Sequence, residues 1–103
     1  MKFVNLTPHE INPIGGDSIA PSGDVARVST RNIEVLPGFF AQETGEVQGL
    51  PGAQEGVLFI VSAMVRLAVP ERGDVVSPGE LVRNEQGQPV GCRGFFVNPG
   101  FKA

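Results

Sequence analysis

Residues 58–74 read LFIVSAMVRLAVPERGD, and this stretch decides the fold because it joins a buried strand to a helix. The run from Val57 to Val61 is continuously apolar, which is typical of a strand buried on both faces and therefore central in its sheet. Ser62 is a good N-cap, and the Ala, Met, Arg and Leu residues after it favour about two helical turns that Pro70 ends. The stretch predicts one central strand followed by one short helix.

Shorter β elements are predicted on both sides of this stretch. Alternation and turn residues before it predict strands at Lys2–Leu6, Glu10–Ile14 and Val25–Leu36, the last with a bulge or tight turn near Arg31–Asn32. A further strand is predicted at Phe39–Val47, with a turn near Thr44–Gly45. After it they predict an extended piece and turn at 75–80, then a C-terminal hairpin that begins at Leu81 and turns at Glu85–Gln88. Residues 95–103 are expected to form an irregular tail. The prediction is a small β-rich α+β domain with a mixed or antiparallel sheet and one short helix.

The composition narrows the class of protein. A chain of 103 residues fits one domain, and its 14 glycines and 9 prolines favour many turns over long helices. A net charge of −3 and the absence of basic runs give no reason to expect duplex nucleic acid or an anionic membrane as partner. The longest apolar run is well short of the ~20 residues that span a bilayer, and no signal peptide is visible. A cytosolic protein is the expectation.

Metal and catalytic signatures are missing from the sequence. The single cysteine, Cys92, has no partner for an internal disulfide, and no Cys/His cluster has the spacing of a zinc site. No nucleophile elbow, zincin motif or Walker A loop is present. We therefore expect a binding protein without metal or cofactor and not an enzyme.

The arginines are the strongest candidates for ligand contacts. All six lie in the interior of the sequence, whereas the two lysines, Lys2 and Lys102, lie near its ends. A guanidinium offers planar, bidentate donors, which suits phosphate or carboxylate recognition. The alternative is compositional, because a GC-rich genome also produces a chain rich in Gly, Ala, Val, Pro and Arg.

Three places combine these arginines with other polar groups. Ser62 begins a helix, where free amides and a hydroxyl attract anions, although most strand-to-helix turns share this property. Arg72 and Asp74 flank Gly73, and they form either a salt bridge that closes the loop or a divided site with Arg72 on a phosphate and Asp74 on a ribose hydroxyl. Arg83, with Asn84 beside it, could approach Arg93 across the last hairpin, where two like charges would favour an anion between them.

His9 completes the candidate set. It is the only histidine and follows the bend at Thr7-Pro8, which makes a structural hydrogen-bonding role the simpler interpretation. Its imidazole could also stack on a base or donate to a phosphate. The predicted ligand-binding residues are thus His9, Ser62, Arg72, Asp74, Arg83, Asn84 and Arg93.

Several short motifs together resemble a family of small bacteriophage and prophage proteins without an assigned activity. They are VNLTPH at 4–9, PSGDVARV at 21–28, TGEVQGLP at 44–51, FIVSAMV at 59–65, PERGD at 70–74, VRN at 82–84 and VGCR at 90–93. The residues after Arg93 depart from the pattern. The resemblance implies a phage product in the host cytoplasm and supplies no catalytic residues.

Two functions fit these expectations. The first is a counter-defence sponge that sequesters a nucleotide or other phosphate-bearing small molecule, with the ligand at the interface of a homo-oligomer because one small chain has room for only part of a pocket. The second is a protein-interaction module, in which exposed Phe39, Phe40, Phe95 and Phe96 contact a host or virion protein or a second copy of the chain. A minimal hydrolase that uses Asp74 or His9 is the weakest alternative.

Overall fold

The computed structural model describes residues 1–101, which form six strands and one α-helix. In chain order they are β1 (Lys2–Asn5), β2 (Arg27–Leu36), β3 (Phe39–Gln48), β4 (Val57–Ile60), α1 (Ala63–Ala68), β5 (Val75–Arg83) and β6 (Pro89–Val97). The strands make a four-stranded mixed sheet in the order β1-β4-β5-β6 and a separate two-stranded sheet of β2 and β3. The predicted α+β class, with one short helix and a C-terminal hairpin, is confirmed.

Strand β4 occupies the centre of the larger sheet, as its apolar run predicts. It pairs in parallel with β1 on one side and with β5 on the other. Phe59 and Ile60 are both buried, and because successive residues of a strand point to opposite faces they enter two different cores. Phe59 packs with Leu6, Val65 and Val75 on the face that carries α1. Ile60 packs on the other face, in the cluster that includes Ile11, Val76 and Cys92.

The predicted strand at Glu10–Ile14 is wrong. The structure has only single bridges here, from Ile11 to Ile19 and from Pro13 to Cys92 on β6. The segment forms two backbone hydrogen bonds to β6, both with Cys92, from the amide of Ile14 and to the carbonyl of Asn12. The segment covers a short part of the β6 edge and does not extend the sheet.

The irregularities of β2 and β3 lie at other positions than predicted. The register shifts between Val28 and Thr30 and again between Glu34 and Leu36, not at Arg31–Asn32. The turn expected at Thr44–Gly45 is also wrong, because β3 continues through it. A Cβ on Gly45 would collide with Oγ of Ser29, so this glycine permits close approach of the two strands.

The C-terminal hairpin is longer than predicted. Strand β5 continues through Pro78 and Gly79, where an extended piece and a turn are expected from the sequence. Strand β6 runs to Val97, so the expectation of an irregular tail is wrong for residues 95–97. Residues 98–101 form a turn, and the last two residues of the predicted tail, 102 and 103, lie outside the described residues.

Strands β2 and β3 form an arm that extends from the domain. Val28 and Val47 at its root pack against the α1 side of the core, while nearly every residue from 29 to 46 is exposed. The turn at its end is Pro37-Gly38, where Gly38 adopts a φ of 82° that a glycine accepts without strain. The radius of gyration is 15.6 Å, above the ~13 Å typical of a compact chain of about 100 residues.

Helix α1 is six residues long, and no helix within residues 1–101 is long and apolar enough to cross a membrane.

Candidate functional site

Arg72 and Asp74 form the salt bridge that was one of the two alternatives for this loop. Nε of Arg72 donates to Oδ1 of Asp74 at 2.8 Å, and Nη2 donates to Oδ2 at 2.8 Å. Nη2 also donates to the backbone oxygen of Pro51 at 2.9 Å. The guanidinium therefore ties the loop after α1 to the loop before β4. Both side chains are about one-fifth exposed, at 23% and 17%.

The electrostatics of the pair follow from this geometry. The hydrogen bonds from Arg72 hold the pKa of the Asp74 carboxyl below its ordinary value, and burial opposes them in part. The same hydrogen bonds raise the pKa of the Arg72 guanidinium, so the pair stays ionised at neutral pH. Most of the charge on Arg72 is thus balanced inside the molecule.

The pair also borders a cleft. Its volume is about 390 Å³, and its walls come from the N-terminus, the loop before β4 and the loop between α1 and β5. Val57 and Leu58 supply apolar surface, and Glu71, Arg72 and Asp74 supply charge. Among residues 1–101, the hydrogen bonds of the Arg72 guanidinium are made by Nε and Nη2, and Nη1 makes none.

Ser62 is an N-cap, as predicted. It has an extended backbone with φ −67° and ψ 160°, and its Oγ accepts a hydrogen bond from the amide of Val65 at 3.3 Å. The helix it begins is too short for its free amides to form a separate anion site. Ser62 borders a second cleft of about 360 Å³ with Thr7, Ala26 and Met64, apart from the cleft of Arg72 and Asp74.

The predicted approach of Arg83 to Arg93 is wrong. The register of the last hairpin places Arg83 opposite Pro89 and Arg93 opposite Glu80. Along β5, three residues separate the Arg83–Pro89 pair from the Glu80–Arg93 pair, a distance of about 10 Å. Arg93 thus faces an acidic residue across the strands, and no pair of like charges calls for an anion.

Asn84 and Arg83 instead stabilise the hairpin turn. Oδ1 of Asn84 accepts hydrogen bonds from the amides of Gln86 at 3.0 Å and Gln88 at 2.9 Å. Nη1 of Arg83 donates to the backbone oxygen of Gly87 at 2.8 Å. Asn and Asp favour turns because their side chains bind nearby amides in this way.

His9 lies in a third place, with its side chain exposed. Its backbone oxygen accepts hydrogen bonds from Nδ2 of Asn5 at 2.8 Å and from Oγ1 of Thr7 at 3.0 Å, so the buried Asn5 and Thr7 fix the bend of the VNLTPH motif. With Ile11, Leu81, Pro89 and Val90, His9 lines a groove of about 430 Å³ between the 9–12 segment and the β5–β6 hairpin. The seven predicted ligand-binding residues are therefore distributed over separate places.

The predicted phenylalanine patch is divided between the two sheets. Phe39 and Phe40 lie at the end of the arm and are 66% and 59% exposed. Val35 and Leu36 beside them are equally exposed, and these four residues are called the arm tip below. Phe95 is half-buried, with its ring stacked on that of Phe3 at a centroid distance of 5.6 Å. Phe96 is 53% exposed, and the guanidinium of Arg66 lies 5.8 Å from the centre of its ring. The four phenylalanines therefore do not form one patch.

A buried polar network was missed by sequence reasoning. Arg66 donates from Nε to Oγ of Ser77 at 2.8 Å and from Nη1 to Oδ1 of Asn98 at 3.2 Å. Ser77 and Asn98 are both buried. No local pattern could predict it, because Arg66 and Asn98 are 32 residues apart in the chain. The network connects α1 to β5 and to the residues after β6.

Within the described residues, no three or more His, Cys, Asp or Glu side chains are grouped so that they could hold a metal ion. Comparison with known proteins finds no matching family model, no matching curated protein and no matching solved structure.

Proposed function

We propose that the chain is a protein-interaction module whose contact element is the arm tip. The observation that carries this proposal is the exposure of Val35, Leu36, Phe39 and Phe40, each about 60% or more, on an arm that holds them away from the domain. Together they expose on the order of 450 Å² of apolar surface, divided between the two faces of the arm because successive strand residues such as Phe39 and Phe40 point to opposite sides. Partners from a host, from a virion or from a second copy of the chain all fit this surface.

The end of the arm presents aromatic and aliphatic side chains in a fixed arrangement, as a contact element for another protein requires. Buried aromatic anchors dominate the energy of most protein interfaces, and the tip presents two of them beside two aliphatic residues. The bulge at Val35 and the tight turn at Pro37-Gly38 fix how these side chains are presented. Keeping four apolar side chains in water is unfavourable, so covering them by a partner is the simplest account of why they are there.

Photo-crosslinking tests this function. A photoreactive phenylalanine at position 39, introduced in cells that produce the protein in its natural setting, should give a covalent adduct with a protein, because this side chain would enter a pocket. The matched control carries the same group at Gln54, an exposed residue of the loop before β4. Adducts at 39 but not at 54 support the proposal. Equal labelling at both positions, or none at 39, contradicts it.

A second function is supported by the cleft beside Arg72 and Asp74. Its volume of about 390 Å³ is in the range of small-molecule sites, and Nη1 of Arg72 faces no internal partner within residues 1–101. Here the chain would sequester a nucleotide or another phosphate-bearing small molecule, such as a host immune signal, in the host cytoplasm. Arg72 would hold the phosphate and Asp74 a hydroxyl.

Native mass spectrometry with mononucleotides and cyclic dinucleotides tests this second function. A stoichiometric adduct is expected for the unaltered chain, with at least a tenfold loss of affinity in Arg72→Ala, since a charge-assisted phosphate contact contributes about 1.5–3 kcal/mol. Arg83→Ala is the matched control, because Arg83 lies in the distant β5–β6 turn. Adducts that survive in Arg72→Ala, or no adduct with the unaltered chain, would exclude the cleft as a nucleotide site.

A further inference from the structure

Within residues 1–101, only the root of the arm packs against the domain, and the arm tip lies far from it. Strands β2 and β3 are ten residues each, so the tip lies on the order of 30 Å from the arm root. The root packs on the α1 face of the larger sheet, through Val28 and Val47. Any cover for the tip therefore comes from another molecule.

The opposite face of the larger sheet carries an apolar groove that could receive the arm tip. The groove of about 430 Å³ is lined by the apolar side chains of Ile11, Pro78, Leu81, Pro89 and Val90. Leu81 and Val90 are 52% and 47% exposed, so the groove is a second uncovered apolar surface of this chain. Ile11 and Cys92 in its floor belong to the core on the Ile60 side, which places the groove on the other face from the arm.

Charges beside the two surfaces are complementary. Glu34 pairs with Phe40 in the register of the arm, so its carboxylate lies next to the tip. Arg83 pairs with Pro89, which lines the end of the groove nearest the β5–β6 turn, and Nη1 of Arg83 donates to the backbone oxygen of Gly87 in that turn. A tip that enters the groove with Glu34 toward Pro89 brings these opposite charges together and keeps Glu34 away from Glu10 at the other end.

From these observations we infer that the partner of the arm tip is a second copy of this chain, and that two copies exchange arms, each tip entering the groove of the other. This inference rests on the proposed function, since it names the partner of the same tip. The exchange is reciprocal and therefore closes as a two-fold dimer, the commonest symmetric oligomer.

One tip exposes about 450 Å² over both of its faces, so a single contact between tip and groove buries less than the 1,200–2,000 Å² of specific complexes. A single contact would therefore give a transient complex. A reciprocal exchange makes two such contacts between the same two chains and buries twice the area, which favours the exchange over a single contact.

Light scattering after size exclusion, together with a dilution series, tests the dimer. We expect a mass of twice 10.9 kDa for the purified chain at tens of micromolar. Glu34→Arg and Arg83→Glu should each weaken dimerisation about tenfold or more, because each puts like charges together, and the double variant should restore it. Arg27→Glu, which makes the same charge change at the arm root, should leave the dimer unchanged.

Each variant is checked by thermal unfolding, so that loss of the dimer is not confused with loss of the fold. A mass of 10.9 kDa at every concentration up to about 1 mM overturns the exchange. A dimer that is equally stable in Glu34→Arg, Arg83→Glu and the double variant also overturns it. The photo-crosslink at position 39 separates the two proposals: a monomer whose tip still crosslinks to another protein refutes the exchange alone, and a tip that crosslinks to nothing refutes both.

Discussion

The Asn98→Ala variant should unfold about 10–20 °C below the unaltered protein, with a loss of roughly 2–3 kcal/mol. Asn98 is buried, and its Nδ2 donates to the backbone oxygens of Arg66, Val69 and Arg72 at 3.3, 2.9 and 3.1 Å. These oxygens lie at and just after the C-terminus of α1, and each also accepts a backbone amide, so Asn98 adds a second donor that ties the end of the helix to the residues after β6. Alanine removes this donor and leaves a small void.

The same substitution also affects a charged group. Oδ1 of Asn98 accepts a hydrogen bond from Nη1 of Arg66 at 3.2 Å, so the partly buried guanidinium loses one of its two side-chain acceptors. Removing a partner from a buried charge costs more than removing one from a neutral group. The helix should therefore loosen first, which hydrogen exchange of the amides of residues 65–69 would detect as faster exchange.

Asn32→Ala is the matched control for this prediction. Asn32 lies on the exposed arm opposite Gln42, and its replacement should change the melting temperature by no more than a few degrees. Melting is followed by circular dichroism at the same protein concentration for all three chains. If Asn98→Ala melts within about 2 °C of the unaltered protein, the network does not stabilise the helix as argued.

The parts of the fold that sequence reasoning predicted are those with a local cause. The apolar run from Val57 to Val61 specifies a central strand, and Ser62 and Pro70 specify where the helix begins and ends. Each depends on neighbouring residues in the chain. The misplaced turn at Thr44–Gly45 shows the limit of this reasoning, because the glycine serves a contact with Ser29 and not a reversal of the chain. Such a contact is visible only when both strands are in place.

The candidate site was harder to predict for the same reason. Arg72 and Asp74 are two residues apart, so their salt bridge was one of two alternatives that the sequence allowed. The supposed meeting of Arg83 and Arg93 depended on a hairpin register, and the observed register places Glu80 opposite Arg93. The alternation of side chains along a strand predicted that one of Phe39 and Phe40 would be exposed, and both are. Their position on an arm, away from Phe96, was not predicted, because it depends on the division of the strands into two sheets.

Gly73→Ala should be the most damaging substitution at the candidate cleft, with an expected loss of about 3 kcal/mol. A Cβ at this position would collide with the backbone oxygen of Gly100, and it would also lie 3.1 Å from the amide nitrogen of Phe101. Both atoms belong to the backbone and cannot turn aside as a side chain would. The loop between Arg72 and Asp74 or the turn after β6 has to move, and the contact between the two is lost.

Gly100→Ala is the control, since it adds the same methyl group on the other side of the same contact. Its Cβ would lie 3.5 Å from the backbone oxygen of Glu71, which is an ordinary van der Waals distance, and Gly100 does not have a positive φ. We expect its melting temperature to be close to that of the unaltered protein. Equal melting temperatures for the two variants would contradict the argument. A large loss in Gly73→Ala alone would show that the residues after β6, which the sequence suggested were an irregular tail, hold the Arg72–Asp74 loop in place.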